Sequence, residues 1–555
     1  MAVYGASRPA GSLDTIVAPA GIPGIGSAIV PVRVSGPEAA RVAEQILHPS
    51  PARKALAPRV ASVRNIRDGG SGELLDEAMA LWFPGPGSYT GEDLLELHLH
   101  GGRAVVEGVT RLILAQRGVR MAEPGEFTRR AFEAGKMDLT EAEAVADLLD
   151  ADTDAQRSLA LSQLGGSLHR LYDGWAARLR MLLAHSEAVI DMGDEEEDVG
   201  DGVWAACADT AAELLAELQS HLDDGRRGEL VRSGLTVALV GSPNAGKSTL
   251  VNALARSEVA IVSDVPGTTR DAVSTRLNIR GVPVTVVDTA GLRSDSADAV
   301  EMEGIRRARE RATSAELVVV VCDVSAVLRG SEGDPAVAAL AAADAVARQV
   351  LRGGDGHPSG GEEGQGRAGA GAGAGAGEGA TAPLEALKQL ASLRRVVVVL
   401  SQADRAPGAS TAGLAEAVAT ASGLAPRLTS VVTSVAPGSG AAQGVEALEA
   451  VLAERVRDAV GDGGDGPVLT RARHRAHLED CVAALRRFAH AAGGAGAQPV
   501  AGEDPLPAGA EAGAMSADMA GEELRMAVAA LARVTGTVDV EGVLDDVFAS
   551  FCVGK

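Results

Sequence analysis

Aromatic residues make up only 2% of this 555-residue chain, although 46% of its residues are hydrophobic. The hydrophobic cores must therefore be built mainly from Ala, Val and Leu. Basic residues are also scarce, with 51 Lys and Arg against 75 Asp and Glu and a formal net charge of −24. This balance argues against a protein that coats nucleic acid through a general positive surface, but it leaves contact through a local basic patch open.

Cysteine is rare, and long apolar runs are missing. The four cysteines show neither metal-ligand spacing nor a disulfide framework, which suits a reducing compartment. No apolar run approaches the roughly 18–20 residues of a membrane span, so we expect no membrane association. Residues 1–13 hold one Arg and no apolar core, and we expect no signal or transit peptide there. The expected compartment is the cytoplasm for a bacterial protein, and the mitochondrion or chloroplast for a eukaryotic one.

The segment Gly241–Thr249, GSPNAGKST, matches the phosphate-binding loop G-x-x-x-x-G-K-[ST]. An apolar strand pattern precedes it at Leu235–Val240, and a helical pattern follows it. Glycines let backbone N–H groups approach phosphates, and the helix N-terminus favours an anion. We expect Lys247 to reach the β- and γ-phosphates and the Ser248 hydroxyl to hold Mg²⁺. The alternative, an ordinary glycine-rich turn, is disfavoured because further phosphate-site motifs follow in order.

Two of these motifs are SDVPGTTRD, Ser263–Asp271, and DTAG, which ends an apolar strand. Asp288 of DTAG can hold Mg²⁺ through water, and the Gly291 N–H can meet the γ-phosphate. The paired Thr268 and Thr269 are typical of a switch segment whose hydroxyl completes the Mg²⁺ shell. DTAG alone would be a weak signal, but the ordered set predicts a nucleoside triphosphatase.

Base recognition departs from the usual GTPase pattern. Where Asn-Lys-x-Asp is typical, an apolar strand is followed by Ser401, Gln402, Ala403 and Asp404. Asp404 can accept both guanine N–H groups, which predicts a preference for guanine. Without the Asn and the base-covering Lys we expect weaker binding, by about 1 kcal/mol for one lost hydrogen bond. Ser434-Val435-Ala436 loosely matches the last base-contacting loop.

The periodicity of the chain changes along its length. Residues 14–137 predict a small α+β domain with strands at Val30–Gly36 and Ala78–Phe83 and a helix at Glu38–Leu47. From Thr140 the pattern is helical, opened by a T-x-x-E capping box with Glu143. It continues through apolar positions that include Leu149, Leu159 and Leu161, and through a helix at Val203–Leu222.

Residues 235 to about 456 alternate strand and helix, which predicts a parallel sheet with helices on both faces. The predicted strands are Leu235–Val240, Val284–Asp288, Leu317–Asp323, Arg395–Leu400 and Thr429–Thr433. Gly/Ala-rich tracts near 353–382 and 493–514 cannot bury enough surface to fold, so we expect flexible loops there. Two more helices are expected, at Arg471–His490 and Gly521–Ala532.

Further motifs are spread from end to end. They are DTIVA at Asp14, VRVSG at Val32, SYTGEDLLELHLHGG at Ser88, EPGEFTRRAFEAGKMDLTEAEAVADLLDA at Glu123, VEMEGIRR at Val300, and RMAVAALARVTGTV and FCVGK near the C-terminus. Together with the nucleotide motifs, they resemble the MnmE (TrmE) family of tRNA-modification GTPases over the whole chain apart from the insertions. A competing interpretation of FCVGK, prenylation of Cys552, is disfavoured because Gly554 and Lys555 do not suit that signal.

The resemblance implies a multidomain α/β plus α fold. Its parts are an N-terminal α+β folate-binding and dimerisation domain at 1–138, a discontinuous helical domain at 139–231 and 458–555, and an inserted Ras-like P-loop G domain at 232–457. It also implies a homodimer that binds a formyl- or methylene-tetrahydrofolate. The family's folate contacts correspond to Arg33, Glu96, Lys136 and Lys555. The alternative role for each is a surface charge or an ion pair at a domain interface.

For hydrolysis, the resemblance implies K⁺ in place of an arginine finger. Its ligands correspond to Asn244, Thr268 and the carbonyls of Ser263 and Val265, and Glu301 orients the attacking water. Mg²⁺ falls to Ser248 and Thr269, and the catalytic residues are Glu301, Lys247 and Thr269. The full expected GTP-binding set is Asn244, Ala245, Gly246, Lys247, Ser248, Thr249, Ser263, Thr268, Thr269, Asp288, Thr289, Ala290, Gly291 and Asp404.

By resemblance, the activity is a tRNA modification carried out with the flavoprotein MnmG, which carries the FAD. The two would add a carboxymethylaminomethyl-type group at C5 of the wobble uridine. The basic run Arg471, Arg473, His474 and Arg475 is one candidate tRNA contact, and a solvated helix face is its alternative. Two other functions stay open: a nucleotide-binding switch or ribosome-assembly GTPase, and a scaffold whose turnover is impaired by Ser401 and Gln402.

Overall fold

A computed structural model gives the fold in two compact units. The first comprises Met1–Asp150, Ala160–Leu222 and Ala472–Lys555, and the second Ala151–Leu159 and Asp223–Arg471. The structure describes residues 14–21, 27–48, 56–192, 197–224, 226–242, 244–257, 259–261, 274–288, 315–330, 334–352, 384–393, 395–405, 413–424, 427–434, 444–461, 467–491, 517–537, 541–549, 551 and 554. Both Gly/Ala-rich tracts lie outside these ranges.

The first unit opens with a seven-stranded sheet of strand order β3-β4-β5-β6-β2-β1-β7, antiparallel except where β7 pairs with β1. Its strands are β1 Thr15–Pro19, β2 Ile29–Ser35, β3 Leu47–His48, β4 Ser62–Arg67, β5 Leu74–Phe83, β6 Leu94–His100 and β7 Val119–Met121, and its helices are α1 Ala39–Ile46, α2 Arg103–Leu114 and α3 Glu126–Glu133. The α+β prediction is confirmed, although the sequence indicated only β2, β5 and α1.

Alternation along β2 and β6 gives this sheet two different faces. Val32 and Leu97 point into the core beneath α1 and α2, where Val42 and Val109 are buried. Because successive side chains of a strand point to opposite faces, Arg33 and Glu96 lie on the other face. That face therefore carries charged side chains beside apolar ones.

Four helices follow: α4 Leu139–Leu149, α5 Asp154–Leu164, α6 Ser167–Met192 and α7 Glu197–Leu222. The predicted capping box at Thr140 and Glu143 is wrong. Asp138 caps α4 instead, since its side chain accepts from the Glu141 N–H while Glu141 accepts from the Asp138 N–H. Thr140 and Glu143 are consequently buried inside the first turns of the helix, with 1% and 2% of their surface exposed.

The second unit contains a six-stranded sheet of order β13-β12-β11-β8-β10-β9. Its strands are β8 Leu235–Gly241, β9 Ser274–Ile279, β10 Val282–Asp288, β11 Leu317–Asp323, β12 Arg395–Ser401 and β13 Leu428–Val432. Its helices are α8 Arg227–Ser233, α9 Lys247–Leu254, α10 Val324–Gly330, α11 Pro335–Arg352, α12 Glu385–Leu393, α13 Leu414–Ser422 and α14 Val445–Val460. The five predicted strands are confirmed to within two residues at each end.

Valine-rich central strands fit a sheet that is covered on both faces. Along β11, Val319 and Val321 belong to one hydrophobic cluster, whereas Val318 and Val320 belong to another. A strand buried on both sides has no polar alternation, which is why LVVVV reads as a continuous apolar run. The sequence missed β9, which pairs antiparallel with β10 at the sheet edge.

The first unit is completed by α15 Ala472–Ala491, α16 Ala517–Thr535 and α17 Glu541–Ala549. Helices α15 and α16 pack against each other, α15 also against α7 and α16 also against α6, which forms a helical bundle. Its core contains Tyr172, Leu218, Phe488 and Leu524. None of the helices within the described ranges has both the length and the apolar character to cross a bilayer.

Three residues of the basic run, Arg473, His474 and Arg475, lie on α15 and contact other helices, which differs from a solvated helix face, and the tRNA contact stays a prediction. His474 is 1% exposed, and its Nε2 lies 2.8 Å from a carboxylate oxygen of the buried Glu143. Arg473 donates to the other Glu143 oxygen at 3.0 Å, and Arg475 donates to the Leu222 carbonyl at 2.6 Å. These cations therefore join helices of the bundle.

A second ion network fixes α3 against the sheet. Glu126 accepts from Arg120 at 2.6 and 2.8 Å, from Arg130 at 2.9 Å and from the Glu123 N–H at 2.9 Å. Arg130 also donates to both oxygens of Glu92 at 3.0 Å. Burial alone would raise the pKa of Glu126, but hydrogen bonds from Arg120, the Glu123 N–H and Arg130 outweigh it and lower the pKa overall.

We expect Glu126→Gln to destabilise the first unit by about 2 kcal/mol at neutral pH, because the buried carboxylate that pairs with both Arg120 and Arg130 loses its charge. A lowered pKa contributes stability that is present above the group's ordinary value of 4.5 and is lost as the pH falls through the folded value. The difference from the wild-type protein should therefore shrink on acidification. Urea unfolding followed by tryptophan fluorescence measures the free energy of unfolding of both proteins, since Trp82, Trp175 and Trp204 all belong to the first unit.

The matched control for that experiment is Glu133→Gln, which removes an exposed i,i+4 partner of Arg129 on the same helix. It should cost less than about 0.5 kcal/mol. A difference between Glu126→Gln and wild type that persists or grows in acid would contradict the assigned role.

Candidate nucleotide-binding site

The predicted phosphate loop connects β8 to α9, as the motif requires. Gly241 is forced to be glycine, because a Cβ there would lie 2.4 Å from the carbonyl oxygen of Val321 on the neighbouring strand. Gly246 has φ +89°, a conformation that other residues rarely adopt. These two glycines shape a tight turn whose backbone N–H groups lead into the N-terminus of α9.

Lys247, the first residue of α9, is folded back into the loop. Its Nζ donates to the carbonyl oxygens of Gly241 at 2.9 Å and Ser242 at 2.8 Å, and the residue is 5% exposed. The charge is thus held at the mouth of the loop, where phosphates would be bound. Ala245 is buried, whereas Asn244, Ser248 and Thr249 are exposed.

Ser248 and Asp288 lie 40 residues apart in sequence and meet at one edge of the sheet. The Ser248 hydroxyl donates to a carboxylate oxygen of Asp288 at 2.8 Å. They are brought together because β8 and β10 are parallel neighbours, with Asp288 opposite Leu239. A hydroxyl and a carboxylate are the hard oxygen ligands that suit Mg²⁺. Within the described ranges, no group of three or more His, Cys, Asp or Glu is arranged to hold a metal.

The base-recognition segment follows β12 and touches the phosphate loop directly. Ser401 is buried, and its hydroxyl lies 2.5 Å from the Ala245 carbonyl and 3.1 Å from the Cys322 carbonyl. The Gln402 side-chain amide donates to the Asn244 carbonyl at 2.5 Å. The residues that replace Asn and Lys therefore tie the two loops together, a role the sequence did not reveal.

Asp404 lies in a short 3₁₀ turn, Ala403–Arg405, and is exposed. Its Oδ1 accepts a hydrogen bond from the Ser434 hydroxyl at 2.8 Å. Ser434 directly follows β13 and the buried Thr433, so the two adjacent strand ends orient this carboxylate. The loose match at Ser434 thus corresponds to a real contact with the predicted guanine acceptor.

Several predicted site residues lie outside the described residues. They are Ser263, Val265, Thr268, Thr269, Thr289, Ala290, Gly291, Glu301, Cys552 and Lys555. The switch segment, the water-orienting Glu and most of the K⁺ ligand set therefore stay predictions.

In the first unit, two predicted folate contacts come together on the less covered face of the sheet. Arg33 on β2 and Glu96 on β6 are register partners, and Arg33 Nε donates to Glu96 Oε2 at 3.2 Å. The second Glu96 oxygen lies 2.7 Å from His98 Nε2. His98 was not among the predicted contacts, although the alternation in ELHLH places it on the same face as Glu96. Lys136 is exposed, with its stem beside Gly91.

The loop, the lysine, the Ser248–Asp288 pair and a guanine-type acceptor at Asp404 together define a P-loop nucleotide-binding domain of the GTPase class. The family model described as "MnmE helical domain" matches residues 139–552, and "GTP-binding protein TrmE N-terminus" matches residues 15–136. The chain belongs to the MnmE family of tRNA modification GTPases, and it is a GTP-hydrolysing enzyme of tRNA modification.

Relatives support this assignment over nearly the full length. The tRNA modification GTPase MnmE of Parvibaculum lavamentivorans is 42% identical over 95% of this chain and 97% of its own length. MnmE of Gluconacetobacter diazotrophicus is 40% identical over 95% and 96%. The Danio rerio mitochondrial 5-taurinomethyluridine tRNA synthase subunit GTPB3 is 37% identical over 94% and 90%.

We expect Ser401→Ala to weaken GDP binding roughly tenfold, because two carbonyls at the base of the site lose their donor and the two loops lose a tie. Titration with a fluorescent GDP analogue measures the effect. Ser392→Ala is the control, since that hydroxyl bonds only to the Gln389 carbonyl within an exposed helix end. An affinity for Ser401→Ala within twofold of this control would contradict the contact's importance.

Proposed function

We propose that this chain couples K⁺-dependent GTP hydrolysis to modification of the wobble uridine of tRNA at C5, together with an MnmG-type flavoprotein that carries FAD. The observation that carries the GTPase part is the Ser248–Asp288 contact of 2.8 Å beside the buried Lys247. It joins a cation, a hydroxyl and a carboxylate at one helix N-terminus. The tRNA part is supported by the relatives, whose names describe tRNA modification.

In the proposed mechanism, Lys247 and the phosphate-loop N–H groups hold the β- and γ-phosphates. Ser248 and Thr269 would hold Mg²⁺, with Asp288 holding it through water, and the ion would neutralise charge on these phosphates when bound. Asn244, Ser263, Val265 and Thr268 would supply K⁺ ligands, and Glu301 would orient the attacking water. Asn244 is exposed at the loop surface, where its side chain is available to a cation.

The proposed folate site lies on the open sheet face around Arg33, Glu96 and Lys136, with Lys555 as a further contact. Glu96 is flanked by register partners on both sides, Arg33 on β2 and Leu81 on β5. A carboxylate there can accept N–H groups of a pterin-type ring, while cations attract the glutamate tail. Apolar side chains such as Leu81 and Met79 would contact the ring. The same domain would form the homodimer.

Potassium dependence is the first test of this proposal. We expect GTP hydrolysis to be at least about tenfold faster in K⁺ than in Na⁺, because a correctly sized cation stabilises charge that develops in the transition state. Asn244→Ala should abolish the acceleration, and GDP affinity is measured alongside because Ala tolerates the positive φ of this position less well than Asn does. Ser242→Ala is the control, since Ser242 contacts Lys247 through its backbone carbonyl. Equal rates in K⁺ and Na⁺ would refute the K⁺ mechanism.

Complementation in a host strain tests the tRNA role. A host lacking its own enzyme should regain the modified wobble uridine when it expresses this chain together with its flavoprotein partner. Nucleoside mass spectrometry of purified tRNA measures this. Unmodified wobble uridine despite folded, GTP-hydrolysing protein would refute the tRNA assignment and favour a switch function.

Nucleotide selectivity tests the base-recognition residue. Asp404→Asn should lower GTP affinity by about two orders of magnitude and raise affinity for XTP, because an amide N–H₂ faces the guanine donors but complements the C2 carbonyl of xanthine. Competition binding with GTP and XTP measures both changes. Ser434→Ala removes only the hydrogen bond that orients Asp404, so its effect should be a few-fold loss without a change in preference.

A further inference from the structure

The Gln402 side chain connects two parts of the nucleotide site, the phosphate loop and the base-recognition turn. Its Nε2 donates to the carbonyl oxygen of Asn244 at 2.5 Å, and its Oε1 accepts from Arg405 at 2.9 Å. A Cβ placed on Gly246 would lie 3.8 Å from the same Nε2, so the amide also covers the phosphate-loop glycine. Gln402 is therefore in contact with both the base-recognition turn and the phosphate loop.

Chemistry at both ends fixes the orientation of this amide. A backbone carbonyl can only accept a hydrogen bond, and a guanidinium can only donate one. The amide nitrogen must face Asn244 and the amide oxygen must face Arg405. Among side chains of similar length, Lys could satisfy only Asn244 and Glu could satisfy only Arg405. Glutamine alone of these three completes the chain of contacts from Arg405 to the phosphate loop.

The backbone at both contact points is unusual. Asn244 has φ 62° and Gln402 has φ 58°, both in the left-handed region, which Asn adopts more readily than Gln does. The hydrogen bond between the Gln402 amide and the Asn244 carbonyl links these two positions. Its loss would release the segment that carries the exposed Asn244 side chain.

We propose that Gln402, oriented by Arg405, is a positioning residue that holds Asn244 in place and so couples the base-recognition turn to the potassium requirement of hydrolysis. The potassium part rests on the proposed function, in which Asn244 is a K⁺ ligand. We call the pair of hydrogen bonds from Gln402 to Asn244 and from Arg405 to Gln402 the brace. The existence of the brace depends only on these contacts. Base-loop residues should therefore change the K⁺ dependence even though they do not contact the ion.

The experiment compares two substitutions that each keep one half of the contact. Gln402→Glu keeps the partner of Arg405 but sets a carboxylate against the Asn244 carbonyl. We expect it to weaken binding of a fluorescent GDP analogue roughly tenfold and to raise the K⁺ concentration for half-maximal hydrolysis several-fold. Gln402→Lys keeps the donor to Asn244 and should stay within about threefold of wild type in both measurements. Arg405→Ala should fall between them.

Gln389→Glu is the matched control, because it makes the same charge change at an exposed helical position of the same unit. The brace is refuted if Gln402→Glu binds the GDP analogue as tightly as this control. The coupling is refuted if Gln402→Glu weakens binding but leaves the K⁺ half-saturation unchanged, or if Gln402→Lys shifts it equally. If wild-type hydrolysis does not respond to K⁺, the proposed potassium mechanism fails and the coupling with it, whereas the GDP affinities measured in Na⁺ still decide whether the brace exists.

Discussion

Parallel pairing of β8 with β10 and β11 is the constraint on which the nucleotide site depends. Because parallel strands end at the same edge, Gly241, Asp288 and Asp323 all emerge there, although long stretches of sequence separate them. Valine-rich strands make this arrangement stable, since their side chains fill separate cores on the two faces of the sheet. The polar residues that would bind the phosphates and the base lie at or directly after the ends of these strands.

In the first unit, buried charged groups join neighbouring elements. Its bundle contains the Glu143, Arg473 and His474 group, and α3 is fixed by Glu126 with Arg120 and Arg130. With so few aromatic side chains, much of the packing comes from small aliphatic residues, which bury little area each. Removing one partner of a buried pair leaves an uncompensated buried charge and is costly, so each of these groups opposes separation of the elements that it joins. One face of the sheet stays partly open, and the Arg33–Glu96–His98 cluster lies there.

The sequence predicted what depends on local pattern. Continuous valine runs indicated β11 and β12, and the glycine and lysine spacing indicated the phosphate loop with its flanking strand and helix. It failed where long-range contacts decide. His474 is buried against Glu143, which lies more than 300 residues away in sequence. Thr140 and Glu143 have the spacing of a capping box, but α4 starts at Leu139, so Asp138 takes the cap. The contacts of Ser401 and Gln402 could not be predicted from the sequence, because they join these side chains to backbone carbonyls of the phosphate loop.

Cys322 is the second-last residue of β11 and lies beside these contacts, and its carbonyl is one of the two that accept from Ser401. Only 3% of this residue is exposed, and burial raises the pKa of its thiol to about 12. At cellular pH the sulfur is therefore a neutral thiol shielded from solvent, and the thiolate is the form that reacts with peroxides and alkylating agents. Packing around Cys322 therefore lowers the reactivity of this cysteine, whose backbone carbonyl accepts a hydrogen bond from Ser401.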